Sequence, residues 1–325
     1  MTSLLGLALL SAMLSFAITP IAARCAVRLG VMDLPGPRKA HAKAIPRLGG
    51  LAVLLSAGAA LLAFGGATGV MSGPRSGSLT VILFGAFAVF LVGLVDDVRG
   101  LSAAHKLGLQ MLIAIAVSSA GVRVESVTLQ GRTYELGSLA PAITVLWIVG
   151  LTNAFNLIDG LDGLATGVAL ISGSTCALIL AVRGNQAEAS LLAALVGAAI
   201  GFLPHNFPPA RIFLGDCGSL LFGYCLAATA ITGFQKGATA LSAGAPLLLF
   251  ALPLVEAGVS ILRRSLRGAR AQGFRGLLQV LVADQEHIHH RLVLAGFSPR
   301  SVVLLLYTLT FGLCLLALST VRHVP

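Results

Sequence analysis

Charge is scarce in this sequence. Only 10% of the 325 residues are Asp, Glu, Lys or Arg, whereas 57% are hydrophobic and the mean hydropathy is +0.94. An ordinary soluble domain has about 25% charged residues, so this chain has too few polar groups to cover a surface in water. The composition excludes a soluble globular enzyme and a disordered chain, and it predicts a polytopic membrane protein.

Cysteine is also sparse, and its arrangement excludes a disulfide scaffold. The five cysteines are scattered, without a CxxC pair, and most of them lie in apolar runs: Cys25, Cys176, Cys217, Cys225 and Cys314. This pattern is typical of small buried hydrophobic side chains rather than of a metal site.

Apolar runs long enough to cross a bilayer as helices recur along the chain. Ten are predicted, in a single all-α membrane domain that covers residues 1–325: about 4–23, 47–67, 78–95, 105–122, 139–155, 163–182, 188–204, 217–234, 239–262 and 301–321. The cytoplasmic loops then cover about 24–46, 96–104, 156–162, 205–216 and 263–300. Arg24 and Arg28 follow the first run and no basic residue precedes it, which favours an uncleaved helix with its N-terminus outside.

The basic residues fall mostly on one side of this arrangement. That side receives sixteen of the 22 Lys and Arg residues, and the positive-inside rule makes it cytoplasmic. The net charge of +10 is therefore mainly a signal of topology, with anionic lipid head groups or phosphorylated substrates as further partners. Nucleic acid is not an expected partner, because the chain has no soluble basic domain to bind it.

The acidic residues are concentrated on the same side, which topology does not require. Nine of the twelve map there, and five of these lie near predicted helix ends: Asp96, Asp97, Asp159, Asp162 and Asp216. Carboxylates at the rim of a membrane are costly, so five in three glycine-containing segments predict a shared site. Hard carboxylate oxygens suit Mg²⁺, with substrate phosphates completing its coordination, so the pattern indicates metal-assisted phosphate chemistry.

The first of these segments carries the adjacent pair Asp96 and Asp97 at the end of the third predicted helix. Neighbouring residues on a helix point about 100° apart, so the two should differ in role. One is expected to face metal or phosphate while the other is held by a partner inside the protein. Helix capping is the competing explanation for such a pair.

The second segment spaces four polar residues three apart, at Asn153, Asn156, Asp159 and Asp162. Amides both donate and accept hydrogen bonds, so they suit uracil, sugar or phosphate groups. A polar seam between helices is the alternative, and two Asp would make it needlessly costly.

The third segment runs from His205 to Gly223 and contains Asn206. Asp216 lies between glycines just before an apolar run, and the backbone N–H groups at that helix start are predicted to receive phosphate. Phe213 could stack on a base, although core packing is the commoner role of a lone Phe.

Two further segments are rich in His or in basic residues. His287, His289, His290 and Arg291 are predicted to contact phosphate and sugar rather than zinc, since further zinc ligands are not evident; a solvated helix face is the alternative. Lys43 and Arg47 lie in a Pro- and Gly-rich basic loop. A topological role and phosphate binding fit them equally well.

Together, from about Asp33 to Leu292, these segments resemble the polyprenyl-phosphate N-acetylhexosamine-1-phosphate transferases. The stretches HIHHRL and IPRLGG resemble the UDP-GlcNAc branch of that family. The resemblance implies that Asp96 and Asp97 serve the lipid phosphate and base chemistry. It implies that Mg²⁺, or Mn²⁺ in its place, binds Asp216 and Asn156. The segments with Asp159, Asp162 and Asn206, and the His segment, then bind the UDP-sugar.

The implied reaction transfers N-acetylhexosamine 1-phosphate from a UDP-sugar to polyprenyl phosphate, with release of UMP, at the cytoplasmic side of a bacterial plasma membrane. Transfer of phospho-MurNAc-pentapeptide is the first alternative, and a transporter is the alternative from a different class. Transporters place charge near the bilayer midplane, whereas here it lies at one face. A CDP-alcohol phosphotransferase would need Arg and Asp at spacings that Asp159–Gly167 lacks. A homodimer is one option for the assembly.

Overall fold

The protein is a bundle of long helices. The computed structural model describes residues 2–35, 43–68, 76–129, 132–234, 244–272 and 287–322. The helices are α1 Thr2–Leu29, α2 Gly49–Thr68, α3 Ser76–Arg99, α4 Ala103–Ser119, α5 Ala140–Ile158, α6 Leu164–Val182, α7 Gln186–Asn206, α8 Gly215–Phe234, α9 Gly244–Leu249, α10 Ala251–Gln272, α11 Ile288–Leu294 and α12 Pro299–Arg322, with a 3₁₀ turn at Gly137–Leu139.

Six of the ten predicted apolar runs correspond to described helices of membrane-spanning length. Six helical segments in the described ranges are long and apolar enough to cross a bilayer, and they correspond to α1, α3, α5 with its 3₁₀ turn, α6, α7 and α12. The apolar stretches of α2 and α4, Gly49–Phe64 and Ala103–Ser119, are shorter. The predicted all-α class is confirmed.

Two short strand pairs add to this helical fold and were not predicted. Strands β1 Met32–Asp33 and β2 Ile45–Pro46 pair antiparallel, and so do β3 Ser126–Leu129 and β4 Arg132–Glu135. The first pair brings the chain on either side of residues 36–42 together. Those residues, with Arg38, Lys39 and His41 of the basic loop, lie outside the described part of the chain.

The predicted span 239–262 is long enough to break and contains Pro246 and Pro253, and it is divided in the structure: α9 ends at Leu249 and α10 begins at Ala251. Pro253 has no N–H group to donate to the carbonyl of Leu249, four residues earlier, and its ring crowds that turn. The Ser172 hydroxyl donates to this carbonyl instead, at 2.7 Å. A neighbouring helix thus satisfies the backbone where the span breaks.

The predicted loop bounds also change. Helix α10 continues to Gln272 and α11 covers Ile288–Leu294, so the predicted loop 263–300 is partly helical. Helix α1 extends to Leu29, into the predicted loop 24–46, and α3 extends through both Asp96 and Asp97 to Arg99.

Helix α8 lies at the centre of the bundle, where α2, α3, α5, α6 and α7 pack around it. Residues 217–233 of this helix are all buried. Glycines permit the closest approaches: a Cβ on Gly50 would lie 2.2 Å from the backbone nitrogen of Gly218, and one on Gly93 would lie 2.5 Å from the Asp216 carbonyl oxygen. Small residues thus let α2 and α3 contact the first turn of α8 directly.

The ends of the helices place all five polar segments at one end of the bundle, which we call the site face. Helices α3, α5 and α7 end there, and α4, α6 and α8 begin there. This is the face that the basic residues predict to be cytoplasmic.

The close approach at Gly93 can be tested with a single methyl group. Gly93→Ala is expected to lower the stability of the protein by about 1–3 kcal/mol, because the added Cβ overlaps backbone atoms of Asp216 and Cys217. Thermal unfolding in detergent measures this loss. Gly108→Ala in α4 is the matched control, since a Cβ there meets no atom within 4 Å. Equal melting temperatures for the two variants would contradict the packing.

Candidate active site

The side chain of Asp97, a residue of α3, is buried against the start of α8. It has no exposed surface, and its two carboxylate oxygens accept hydrogen bonds from the backbone N–H groups of Asp216 and Cys217, each at 3.0 Å. A residue of α3 therefore caps the N-terminus of α8. The prediction that these N–H groups receive phosphate is wrong, because Asp97 already occupies them.

Arg47 links the basic loop to this cap. Its guanidinium lies 3.6 Å from Asp97 on one side and 3.6 Å from Asp33 on the other, with 35% of the side chain exposed. The structure thus gives Arg47 an electrostatic and anchoring role beside the site. Lys43 is exposed, and its contact with phosphate stays a prediction.

Asp96 points the other way from Asp97, as the helical rotation predicts. Its Oδ2 lies 2.9 Å from Nζ of Lys106, and the same ammonium lies 2.5 Å from Oδ2 of Asp216. The three side chains are 14–17% exposed. The carboxylate of Asp96 also accepts from the backbone N–H of Leu101. One cation is thus held between carboxylates from α3 and α8, and we call this group the charge cluster.

Lys106 was missed as a site residue at the level of sequence. A signal was present: it is the one Lys or Arg in the apolar stretch of α4, Ala103–Ser119. A lone cation in such a helix needs an acidic partner, and its position ten residues after Asp96 allows the chain to turn back between α3 and α4.

The end of α5 faces the charge cluster. Asn156 donates from Nδ2 to the hydroxyl oxygen of Ser219, at 3.0 Å, which sets its amide beside the first turn of α8. Asp159 follows the last residue of α5. Desolvation, and then the negative charges of Asp216 and Asp97, raise the pKa of Asp159 well above its usual value.

Three other polar residues predicted to bind substrate are engaged within the protein. Asn153 donates to Gln110 at 2.5 Å, across the α4–α5 seam, and the carboxylate of Asp162 accepts from the backbone N–H of Ala210. Asn206 is 2% exposed. It donates to the carbonyl of Ile212, while its amide oxygen accepts from Thr166. The structure gives these three residues the role of holding helices and the 207–214 loop in place.

Phe213 lies in that loop and is half-buried. Its backbone N–H donates to the Pro46 carbonyl at 2.8 Å, and its carbonyl accepts from Gly49 at 3.0 Å. The loop is thereby tied to the segment before α2. Stacking of the Phe213 ring on a base stays a prediction.

The His segment packs onto the turn after α5. His287 is the N-cap residue of α11, although its side chain makes no capping hydrogen bond. A Cβ on Gly160 would lie 2.8 Å from Nε2 of His289 and 3.4 Å from Nε2 of His290. Burial and the neighbouring imidazoles lower the pKa of His290 to about 4, so this ring is neutral near pH 7. Arg291 is exposed on the same short helix.

Glu256, whose role the sequence left open, is the partner of this segment. It is 1% exposed on α10. Its carboxylate lies 3.3 Å from Nδ1 of His289 and 3.6 Å from Nδ1 of His287, and it accepts from the backbone N–H of Ile288 at 3.2 Å. Asp284 and Glu286, also in this predicted motif, lie outside the described residues.

Known proteins are similar to this chain over most of its length. The model of glycosyl transferase family 4 matches residues 79–234, from α3 to α8. A "Probable undecaprenyl-phosphate N-acetylglucosaminyl 1-phosphate transferase" of Bacillus subtilis is 39% identical over 296 residues, which cover 90% of this chain and 78% of the relative. The chain belongs to glycosyl transferase family 4. It is a multi-pass membrane protein, as its apolar helices indicate.

Two other relatives show the breadth of this family. A decaprenyl-phosphate N-acetylglucosaminephosphotransferase of Mycobacterium tuberculosis is 32% identical over 323 residues, covering 92% of this chain and 78% of the relative. A phospho-N-acetylmuramoyl-pentapeptide-transferase of a Synechococcus species is 32% identical over 319 residues, which cover 91% of this chain and 82% of the relative. The family match contains the charge cluster and the Asp97 cap, whereas the His segment lies beyond it.

The different roles of the two adjacent Asp residues predict different effects on stability. Asp97→Asn is expected to destabilise the protein by about 1–3 kcal/mol, because an amide offers one acceptor oxygen where two buried backbone N–H groups need partners. Asp96→Asn, on the partly exposed side of the same turn, should cost less. Thermal unfolding of both variants in detergent measures the difference, and a larger loss for Asp96→Asn would contradict the assignment.

Proposed function

We propose that this protein transfers GlcNAc 1-phosphate from UDP-GlcNAc to undecaprenyl phosphate and releases UMP. The observation that carries the proposal is the charge cluster, in which Lys106 lies between Asp96 and Asp216 at the site face. The names of the relatives in Bacillus subtilis and Mycobacterium tuberculosis support this donor and the polyprenyl class of acceptor. The relative that carries phospho-MurNAc-pentapeptide transfer in its name is less similar, at 32% against 39% identity.

The charge cluster suits a reaction between two anions. Donor diphosphate and acceptor phosphate repel each other, and they also repel Asp96 and Asp216. Lys106 offsets part of this repulsion, and Arg47 adds a second partly exposed cation near Asp97. Positioning and charge neutralisation are the main demands of phosphoryl transfer, because the reacting groups carry their own nucleophile.

A divalent cation would supply the further neutralisation of negative charge that the reaction needs. Asp216 and Asn156 would hold Mg²⁺, or Mn²⁺ in its place. The Lys106 ammonium that donates to Asp216 also donates to Asp96. Within the described residues no three His, Cys, Asp or Glu side chains converge as a ready metal cage. That arrangement suits Mg²⁺, which keeps several waters and takes one or two protein carboxylates together with substrate phosphates. When bound, the ion would stabilise negative charge on the diphosphate.

The reaction needs little base chemistry from the protein. An oxygen of the acceptor phosphate attacks the β-phosphorus of the donor, the bond from that phosphorus to the bridging oxygen breaks, and UMP leaves with the bonding electrons. A phosphate monoester is largely dianionic near neutral pH, so no proton needs to be removed first. Asp96 then orients the acceptor through Lys106. A covalent intermediate on Asp96 is the alternative course.

An apolar groove that starts one residue after Lys106 in α4 and runs to the opposite end of the bundle suits the polyprenyl chain. It has a volume of about 570 Å³ between α4 and α5. Its lining begins at Leu107, the neighbour of Lys106, and continues along α4 through Met111 and Ile115, with Val145 and Val149 opposite on α5. A lipid phosphate held at Lys106 could therefore place its first isoprene units in this groove. We also propose that the site face is cytoplasmic, as the basic residues indicate. We propose a bacterial plasma membrane because the relatives are bacterial proteins.

Transfer by the purified protein tests the proposal. Incubation with UDP-GlcNAc, undecaprenyl phosphate and Mg²⁺ should release UMP, and Asp216→Asn should lower the rate at least about 100-fold, because charge neutralisation dominates phosphoryl transfer. Glu135→Gln, on an exposed strand away from the site face, is the control and should retain the rate. Normal turnover by Asp216→Asn would overturn the proposal. So would a protein that uses UDP-MurNAc-pentapeptide as donor but not UDP-GlcNAc.

The groove generates a separate test on the acceptor. Val145→Trp should raise the KM for undecaprenyl phosphate several-fold, because the indole fills part of the groove, and should leave the KM for UDP-GlcNAc unchanged. Leu62→Trp, at a 74% exposed position of α2, controls for a bulky aromatic on the lipid-facing surface. Steady-state kinetics in detergent micelles measures both constants. The same acceptor KM in the two variants would place the lipid elsewhere.

A further inference from the structure

Glu256 is a buried carboxylate that lies outside the charge cluster. It is 1% exposed, yet its partners come from a different part of the chain: His287, the Ile288 backbone and His289, all beyond the end of α10. A buried charge is costly unless its partners compensate it. Such a group is retained when its geometry matters to the site that it supports.

The contact with Glu256 fixes the hydrogen-bonding state of His289. An ionised carboxylate has only acceptor atoms, so the ring nitrogen that faces it, Nδ1 of His289 at 3.3 Å, is the donor. In a neutral imidazole with Nδ1 protonated, Nε2 carries a lone pair and accepts. Glu256 thereby selects which nitrogen of His289 is available on the opposite side of the ring.

That opposite nitrogen has an unmet hydrogen bond. Nε2 of His289 is buried and makes no hydrogen bond to any other group of the protein in the described part of the chain. It points at Gly160, as does Nε2 of His290, so two imidazole nitrogens converge over a residue that has no side chain. Gly160 itself is exposed and directly follows Asp159, next to the charge cluster. Buried acceptors without a partner are rare in proteins and call for one.

We propose that Glu256 is a positioning residue for the sugar-nucleotide donor. It holds His289 in the tautomer whose Nε2 accepts, and it holds the His segment against the Gly160 turn, so that a hydroxyl or amide N–H group of the donor completes the hydrogen bond there. This inference rests on the proposed function only for the identity of the donor. Because Gly160 has no side chain, both imidazole nitrogens can approach this turn closely.

The experiment compares paired substitutions in the full-length protein. Glu256→Gln keeps the shape but offers an N–H group where a carboxylate stood, whereas Glu256→Asp keeps the charge. His289→Asn keeps a donor near the position of Nδ1 but has no atom at Nε2. Glu188→Gln, at another fully buried Glu at the opposite end of the bundle, is the matched control. The readouts are kcat, the KM for UDP-GlcNAc and for the acceptor, melting temperature, and calorimetric affinity for UDP.

Glu256→Gln and His289→Asn should each raise the KM for UDP-GlcNAc about tenfold, the loss of one charge-assisted or buried hydrogen bond. The acceptor KM should stay within about twofold, and Glu256→Asp should restore part of the donor affinity. The double variant Glu256→Gln with His289→Asn should be no weaker than either single variant, because both remove the same contact. Glu188→Gln should leave both KM values unchanged.

Unchanged donor KM in Glu256→Gln and in His289→Asn, or multiplied effects in the double variant, would overturn the inference. If Glu256→Gln does not fold, His289→Asn decides alone, since it keeps Glu256 and a donor facing it. If the unaltered protein makes no transfer from UDP-GlcNAc, the proposed function fails instead. The calorimetric affinity of the same variants for UDP then still reports whether Glu256 acts through His289 on nucleotide binding.

Discussion

The bond between the Asp97 carboxylate and the first backbone amides of α8 is the interaction on which the site depends. It satisfies two buried N–H groups of the central helix with a side chain from α3. Asp96 immediately precedes Asp97 on α3, and the backbone N–H of Asp216 is one of the two capped groups. The same bond therefore sets both carboxylates of the charge cluster beside Lys106. Close glycine contacts of α2 and α3 with α8 make this approach feasible.

A membrane setting makes each buried polar group a constraint, and the structure meets these constraints by contacts between distant segments. Lys106 joins α4 to α3 and α8, Arg47 joins the basic loop to Asp97, and Glu256 joins α10 to the His segment. Ser172 satisfies the carbonyl left by the break before α10. The polar residues at the site face would therefore serve two purposes, since the contacts that stabilise the bundle also orient groups for the anionic substrates that we propose.

The sequence alone predicted the helical class, most of the helix positions and the gathering of the acidic residues on one face, because hydropathy and charge carry that information directly. It distinguished Asp96 from Asp97, but it could not separate the asparagines by role. Asn156 lies beside the charge cluster, whereas Asn206 holds a loop, and only their partners in space distinguish them. The role of Glu256 was likewise hidden, since it depends on a residue 33 positions away in the chain. The occupied amides of α8 could not be foreseen for the same reason. Lys106 left a signal, because it is the one Lys or Arg in α4.

The proposed reaction transfers phosphate together with the sugar, and the fate of the donor's β-phosphorus tests this most directly. UDP-GlcNAc radiolabelled at that atom is incubated with the purified protein, undecaprenyl phosphate and Mg²⁺, and lipid and nucleotide are then separated. We expect the label to enter the lipid and the released nucleotide to be unlabelled UMP. Release of labelled UDP with an unlabelled glycolipid would show ordinary glycosyl transfer and would contradict the proposal.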